Sequence, residues 1–298
     1  MADPGLTPGL ATLLGALQGV AEFLPISSSG HLALAQRWFG VDPSSAGHTF
    51  SIVVHAGTLL AVLLFYRRDL AAIVRAIARP GARARTLVEP VLPDSSPRPA
   101  GPPGGPPPTA PHEAPALLMA LVLGTLPLAF ALMPQVEGMV LTAEATPRWV
   151  GAGFLVTAAL LAFSHRRADR TSRAVPTPWQ AMVIGLSQLV AILPGISRSG
   201  STIAAALALG LGRLPAARFS FLLSIPAILG ASLKETLDML EHGAPAAVDP
   251  LAFAVGFVVS FVVGTLTLRV LVALIVRVGL VPFVPYLVAL GLAVVVWG

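Results

Sequence analysis

The chain has 298 residues, of which 55% are hydrophobic and 11% charged, and its formal net charge is +5. Soluble domains carry roughly a quarter charged residues, so this composition excludes a soluble protein and indicates an integral membrane protein. Cysteine is absent, which excludes disulfides and thiol chemistry. The excess of basic residues is better explained by membrane topology than by nucleic-acid binding.

Apolar stretches long enough to cross a bilayer, which takes roughly 20 residues, occur six times. They are 50–66, 115–134, 148–165, 216–236, 251–276 and 281–297. Two further apolar stretches, 9–39 and 179–211, are interrupted in the middle by Pro, Gly and Ser, and each half is too short to cross. Broken segments at matching places in two halves favour re-entrant hairpins near the membrane midplane.

The charged and Pro-rich connections predict the orientation. Residues 80–114 form a Pro-rich segment that predicts a flexible cytoplasmic loop without chemistry. Arginines concentrate in the expected loops 67–114 and 165–178, and the basic side of a membrane protein is cytoplasmic. Both termini then lie outside, the hairpin 9–39 enters from outside, and the hairpin 179–211 enters from the cytoplasm.

An internal repeat supports this arrangement. At an offset of 170, the matches are Gly15 with Gly185, Gln18 with Gln188, Val20-Ala21 with Val190-Ala191, Ile26-Ser27 with Ile196-Ser197, and Ser29-Gly30 with Ser199-Gly200. Each half, about 1–170 and about 171–298, holds one hairpin and three spans, so the halves must insert in opposite directions. The prediction is an all-α polytopic protein with one membrane domain over 1–298, built from six transmembrane helices and two re-entrant hairpins in an inverted repeat.

The first hairpin contains a carboxylate and an amide on one face. Gln18 and Glu22 are four residues apart, so their side chains project from the same side of a helix. An ionisable residue at membrane depth is costly and is typical of a functional site, although a protonated or merely paired Glu22 is the alternative. Glu22 is therefore a candidate metal ligand or proton-transfer group. The Gln18 carbonyl offers a second oxygen for a hard cation such as Mg²⁺ or Ca²⁺.

Three serines and a histidine follow in the same hairpin. Ser27, Ser28 and Ser29 precede Gly30 and His31, a pattern typical of a turn with a helix N-cap. The free N–H groups of a helix N-terminus also bind anions. His31 suits acid–base chemistry or nucleophilic attack on phosphorus, with a structural role as the alternative.

The second hairpin contributes a cation. Arg198 is the only basic residue between Trp179 and Gly212. A pairing with Glu22 alone would explain it, but its planar fork also matches phosphate oxygens. The surrounding hydroxyls, Ser197, Ser199, Ser201 and Thr202, add donors at another helix start. Together the two hairpins indicate a binding site for phosphate or diphosphate. His55 lies in the first long span, and the sequence is as consistent with a buried structural histidine there as with a member of the site.

These motifs resemble a known family. Gln18-x-x-x-Glu22 with Phe-Leu-Pro-Ile-Ser-Ser-Ser-Gly-His31, and Pro194-Gly-x-Ser197-Arg198-Ser199-x-x-Thr202, are similar to the two motifs of the bacitracin-resistance type undecaprenyl-diphosphatases. The resemblance covers essentially the whole chain, apart from the long Pro-rich insert. It implies hydrolysis of undecaprenyl diphosphate to undecaprenyl phosphate and inorganic phosphate, which recycles the carrier lipid for peptidoglycan synthesis and confers bacitracin resistance.

The resemblance also implies roles for individual residues. Glu22 would bind a divalent cation or position water, with Gln18 as a second ligand, and His31 would act as nucleophile or acid–base, with Ser28 as a rival nucleophile. Arg198 would stabilise the phosphate charge, and Ser27, Ser197, Ser199 and Thr202 would bind the substrate phosphates. The site would open to the extracytoplasmic side of the inner (plasma) membrane, and a homo-oligomer is compatible with the sequence.

A second function stays open on the sequence alone. Inverted repeats with broken helices are typical of secondary transporters, so a polyprenyl-phosphate flippase could use the same anion site. A transporter needs no nucleophile, whereas His31 and the serines exceed what anion binding requires.

Overall fold

The structure is a computed structural model that describes residues 6–41, 46–78, 109–110, 112–165, 174–242 and 249–298. These residues form helices joined by short turns and contain no strand. The helices are α1 (Pro8–Ala21), α2 (Ser28–Trp38), α3 (Ala46–Phe65), α4 (Arg67–Ala78), α5 (Ala114–Thr125), α6 (Pro134–Ala145), α7 (Pro147–His165), α8 (Pro178–Val190), α9 (Arg198–Ala208), α10 (Arg213–His242), α11 (Pro250–Val278) and α12 (Val284–Trp297). Two 3₁₀ segments, Leu126–Leu132 and Val281–Phe283, extend α5 and precede α12.

Each broken apolar stretch forms a pair of short helices. Helices α1 and α2 have 14 and 11 residues, and helices α8 and α9 have 13 and 11. At 1.5 Å per residue the longest of them measures about 21 Å, which is less than the roughly 30 Å of a bilayer core. Serine side chains cap the second helix of each pair, with Ser27 accepting from the Gly30 N–H and Ser197 from the Gly200 N–H. Capping explains why the chain resumes a helix directly after the break in each hairpin.

Four helical segments are long and apolar enough to cross a membrane: Ala114–Leu132, Pro147–Ser164, Arg213–Lys234 and Pro250–Val278. They correspond to four of the six expected spans and make the chain a multi-pass membrane protein. A fifth candidate, Thr49–Phe65, bends by 73° into α4, and the sixth, Val281–Trp297, is a shorter apolar helix.

Two helices were not predicted. The expectation of a loop from residue 67 was wrong for its first twelve residues, because α4 is a regular helix there. Its arginines were counted only as loop charges, although Asp69, Ala72 and Ile73 are spaced i, i+3 and i+4 and are buried on one face of the helix. Helix α6 fills what the sequence suggested was a connection between two spans.

The far end of the Pro-rich segment is attached to α4. Most of the predicted loop, residues 80–108 and 111, lies outside the described residues. Thr109 is buried, and both its backbone N–H and its hydroxyl donate to Asp69, at 2.8 Å and 2.5 Å. The Nε of Arg218 on α10 lies 3.8 Å from the same carboxylate. A buried polar cluster therefore joins α4, α10 and the segment that leads into α5.

Glycines allow close helix packing at two related places. A Cβ on Gly15 of α1 would lie 2.8 Å from the Gly256 carbonyl oxygen of α11. A Cβ on Gly185 of α8 would lie 2.3 Å from the Gly124 carbonyl oxygen of α5. Real Cβ atoms do not approach so closely, so only glycine permits these backbone contacts. The first helix of each hairpin thus packs against a long helix of the other half of the chain.

The tips of the two hairpins touch each other. A Cβ on Gly30 would lie 3.0 Å from the Gly195 Cα, and Gly195 itself has a φ of +88°. The hydroxyl of Thr157 on α7 accepts from the Ser197 N–H and donates to the Gly195 carbonyl, at 2.9 Å and 3.0 Å. Helix α7 therefore anchors the second tip where the first tip meets it.

We expect Gly195→Ala to destabilise the protein by about 1–3 kcal/mol, the usual range for overpacking. The added Cβ would lie 2.1 Å from the Val150 carbonyl oxygen, and the positive φ disfavours alanine. Gly230→Ala on α10 is the matched control because nothing lies within 4 Å of its Cβ position. Thermal unfolding in detergent checks the prediction, which fails if the two variants melt at the same temperature.

Candidate active site

A buried carboxylate lies at the centre of the site. Glu22 follows the last residue of α1 and is only 6% exposed. Its Oε2 accepts from the Ser28 hydroxyl at 2.6 Å and from the Gln18 Nε2 at 3.0 Å. Its Oε1 accepts from Arg198 in a short ion pair. Glu22 therefore binds the amide one turn before it, the serine at the tip of its own hairpin and the arginine of the opposite hairpin.

Arg198 reaches this carboxylate from 176 residues away in the chain. It begins α9, and its side chain is 16% exposed. The sequence favoured an anionic ligand for Arg198 over a pairing with Glu22 alone. The structure shows the pairing through Nη2, whereas Nη1 is buried and has no hydrogen-bond partner among the described residues. That nitrogen retains a donor that a phosphate oxygen can satisfy.

Ser28 is the accessible hydroxyl of the cluster. It is the first residue of α2 and is half-buried, whereas Gln18 and Glu22 are buried. A serine is a weak nucleophile until a base takes its proton, and a carboxylate at 2.6 Å is within reach to do so. Because Ser28 stands at a helix N-terminus, its surroundings also favour negative charge on an attacking or bound oxygen.

His55 belongs to this site, although the sequence did not decide the question. Its Nδ1 lies 2.7 Å from the Ser51 carbonyl, so that nitrogen carries the hydrogen. Its Nε2 lies 3.6 Å from Glu22 Oε2, and the side chain is 28% exposed. The only signal in the sequence was that His55 is a polar residue in an apolar span, one helical turn after Ser51. This spacing does not show which side of α3 faces the hairpins.

His31 is directed away from the carboxylate. Its Nδ1 lies 2.8 Å from the Ser27 carbonyl, and its Nε2 lies 2.6 Å from the Tyr286 hydroxyl on α12. The ring packs edge-on against Phe154, with centroids 5.0 Å apart. The structure thus brings Ser28 and Arg198 together on Glu22 and places His31 in a separate contact with Tyr286. Sequence reasoning missed Tyr286 because no motif surrounds it.

The remaining predicted hydroxyls are buried and hold the hairpins. They are Ser27, Ser197, Ser199 and Thr202. Besides the two N-caps, the Ser199 hydroxyl donates to the Leu24 carbonyl of the other hairpin at 3.3 Å. The Thr202 hydroxyl donates to the Arg198 carbonyl at 2.8 Å and contacts Ser220. In this arrangement they fix the two tips, and their predicted role in binding phosphate stays a prediction.

The protein offers few ligands of its own for a cation. The described residues contain no group of three or more His, Asp or Glu that could hold a metal ion. Beside Glu22, however, the Gln18 Oε1 is buried without a hydrogen-bond partner among those residues. Mg²⁺ in phosphate-transferring sites is commonly held by one or two carboxylates together with substrate phosphates. Gln18 turns its Nε2 toward Glu22, so its amide has to rotate before Oε1 can share a cation with that carboxylate, and the two residues form no closed metal cage.

Comparison with known proteins gives a consistent result. The model of the family described as "Bacitracin resistance protein BacA" matches residues 11–293. The chain is 39% identical to an undecaprenyl-diphosphatase of Rubrobacter xylanophilus over 288 residues, which cover 94% of each chain. It is 39% identical to one of Alcanivorax borkumensis over 96% of this chain and 97% of the relative. It is 37% identical to one of Geobacter metallireducens over 98% of both.

Proposed function

We propose, since the chain belongs to the bacitracin resistance protein BacA family, that Glu22, Ser28 and Arg198 are the hydrolytic centre of an undecaprenyl-diphosphatase. The chain is a membrane hydrolase that converts undecaprenyl diphosphate to undecaprenyl phosphate and inorganic phosphate. The reaction returns the carrier lipid to peptidoglycan synthesis and accounts for the bacitracin resistance in the family name. The observation that carries the assignment of the site is the 2.6 Å hydrogen bond from Ser28 to a carboxylate that also binds Arg198.

Ser28 is the nucleophile in the mechanism that this geometry supports. Its Oγ attacks the terminal phosphorus while its proton passes to Glu22 Oε2. The bond between that phosphorus and the bridging oxygen breaks, and undecaprenyl phosphate leaves. Glu22 passes that proton to the leaving undecaprenyl phosphate, then takes a proton from water as the water attacks the phosphoserine, and returns it to the Ser28 oxygen as inorganic phosphate leaves. His31 is less suited to attack because hydrogen bonds occupy both of its ring nitrogens.

Charge stabilisation comes from the opposite hairpin. Phosphoryl transfer depends mostly on positioning and on neutralising the phosphate oxygens. Arg198 offers its unpaired Nη1, and the N-termini of α2 and α9 present N–H groups from two sides of the cluster. In the free enzyme, Glu22 neutralises the guanidinium, so the site does not hold an uncompensated buried charge.

A divalent cation, Mg²⁺ or Ca²⁺, completes the charge balance. A diphosphate brings more than one negative charge toward Glu22, and a single arginine does not offset both. Glu22 and Gln18 would hold the cation together with substrate oxygens, and it would supply Lewis-acid stabilisation of the phosphate charge. His55 Nε2 faces the same carboxylate and is a further candidate ligand.

The proposed arrangement in the membrane has six spans and two re-entrant hairpins in an inverted repeat, within one domain. Support comes from the paired glycine contacts, since Gly15 and Gly185 are repeat partners and each meets a glycine of the other half. The expected cytoplasmic position of the basic loops supports a site that opens to the extracytoplasmic side of the inner (plasma) membrane. The polyprenyl tail leaves the site laterally between helices.

Hydrolysis is favoured over lipid flipping by one contact. A flippase needs an anion site but no activated hydroxyl. The Ser28 hydroxyl donates its hydrogen bond to Glu22 and does not stabilise a turn or a helix cap.

The test is phosphate release by the purified protein from undecaprenyl diphosphate in detergent. We expect release with Mg²⁺ or Ca²⁺, its loss with excess chelator, and recovery when the cation is returned. The chelator saturated with Mg²⁺ beforehand is the control. Phosphate release that persists in excess chelator would contradict the requirement for a divalent cation. No release with any divalent cation would contradict hydrolysis at this site.

A further inference from the structure

We propose that Tyr286 is a positioning residue for this reaction. Its hydroxyl holds His31, and His31 holds the strained Ser27 peptide that presents Ser28. The inference rests on the proposed role of Ser28. It gives His31 a task different from nucleophilic attack and adds a residue from the last helix of the chain.

The hydrogen bonds fix the tautomer of His31. The Ser27 carbonyl only accepts, so the His31 Nδ1 that lies 2.8 Å from it carries the hydrogen and donates. In the neutral ring, Nε2 then has a lone pair, and the Tyr286 hydroxyl at 2.6 Å donates to it. The chain of donors runs from Tyr286 through His31 to the carbonyl immediately before Ser28.

The carbonyl at the end of this chain belongs to a strained residue. Ser27 has φ 71°, and it is the only residue other than glycine with a positive φ in the part of the chain that the structure describes. Such a conformation persists only when its surroundings hold it. The Ser27 carbonyl accepts from both the backbone N–H and the ring of His31. Because Ser28 follows at once, the orientation of this peptide decides where the Ser28 hydroxyl points.

The second hairpin provides a comparison within the same molecule. Its matching N-cap, Ser197, has φ −71°, an ordinary value. The residue that matches His31 there is Ser201, which has no ring and whose hydroxyl has no partner among the described residues. The strained tip and the histidine support therefore occur together in the hairpin that carries Ser28. The relaxed tip, which carries Arg198, lacks both.

Tyr286 is placed to act on the His31 ring and on little else in the site. It lies in the first turn of α12, with the two rings nearly parallel at 14° and their centroids 5.8 Å apart. The residue is 46% exposed, so its ring is not part of the buried core. Removing only the hydroxyl should therefore leave the packing intact and free His31 Nε2.

Tyr286→Phe provides the first test in the phosphate-release assay. We expect kcat to fall about three- to tenfold, the factor that one hydrogen bond typically carries, with KM unchanged. A merely structural role would instead lower the melting temperature and leave the kcat of the folded fraction at the wild-type value. Wild-type kcat in Tyr286→Phe would overturn the inference.

Two His31 variants separate positioning from chemistry. The side-chain amide of Asn can replace Nδ1–H toward the Ser27 carbonyl, whereas that of Gln replaces Nε2. We expect His31→Asn to retain more activity than His31→Gln, and Tyr286→Phe to have no further effect in the His31→Asn background. Equal loss in both His31 variants, or an additional loss in the double variant, would overturn the inference. An inactive wild type would instead overturn the proposed function.

Discussion

Glu22→Gln should lower the kcat of phosphate release by about a thousandfold or more, within the range that general acid–base groups contribute. The substitution keeps the size of the side chain and removes its charge and its basicity. Ser28 would then lose the group that takes its proton, and Arg198 would lose its counter-charge. Steady-state kinetics with a saturating divalent cation measure the effect.

Lost stability is the competing explanation for this variant, and a double variant separates the two. Removing one partner of a buried ion pair costs about 3–5 kcal/mol because the other charge is left uncompensated. Glu22→Gln should therefore also melt at a lower temperature. Glu22→Gln/Arg198→Gln removes both charges and should recover much of the melting temperature while phosphate release stays lost. Recovered hydrolysis in the double variant would contradict the assignment of Glu22 as the base.

The pairing of Glu22 with Arg198 explains how an ionised site persists in an apolar protein. Each charge alone at membrane depth would be expensive, and each lies on a different hairpin. Their contact therefore also connects the two tips, together with the Ser199 bond to the Leu24 carbonyl. The pairing uses only Nη2 of the guanidinium, so Nη1 is left for a substrate phosphate while Glu22 stays bound to both Arg198 and Ser28.

The sequence predicted the parts of this site that depend on composition and spacing. Interrupted apolar stretches indicated the hairpins, and the expense of a lone charge at membrane depth singled out Glu22 and Arg198. Ser28 was named as a rival nucleophile only through the family resemblance, because a run of serines does not by itself show which of them faces the carboxylate. The hydrogen bond at 2.6 Å resolves that choice.

What the sequence could not show were contacts that depend on helix rotation and on distant packing. Tyr286 meets His31 across 255 residues, and no periodicity or motif links the two positions. The Thr202 hydroxyl donates back to the Arg198 carbonyl, as threonines within helices often do, and the motif around Thr202 does not show this contact. Helix α4 was missed because its arginines obscured a short buried face.

Ser28→Ala should abolish turnover, with a loss of about a thousandfold or more, since the variant lacks the attacking oxygen. The matched control is Ser29→Ala. Ser29 is the next residue, is equally half-buried, and its hydroxyl contacts only Ser27, at 3.4 Å, among the described hydrogen bonds. We expect Ser29→Ala to stay within a few-fold of wild type. The comparison isolates the Ser28 hydroxyl from general disturbance of the hairpin tip.

Trapping the intermediate decides between Ser28 and water as the nucleophile. With substrate labelled in its terminal phosphate, rapid acid quenching of the wild type should leave label covalently on the protein, and Ser28→Ala should retain none. If Glu22 instead activates water directly, no label is retained and Ser28→Ala keeps substantial turnover, since Glu22 and Arg198 remain in place. That outcome would reduce Ser28 to a group that orients the carboxylate. The 2.6 Å bond and the exposure of Ser28 at a helix N-terminus favour the covalent route.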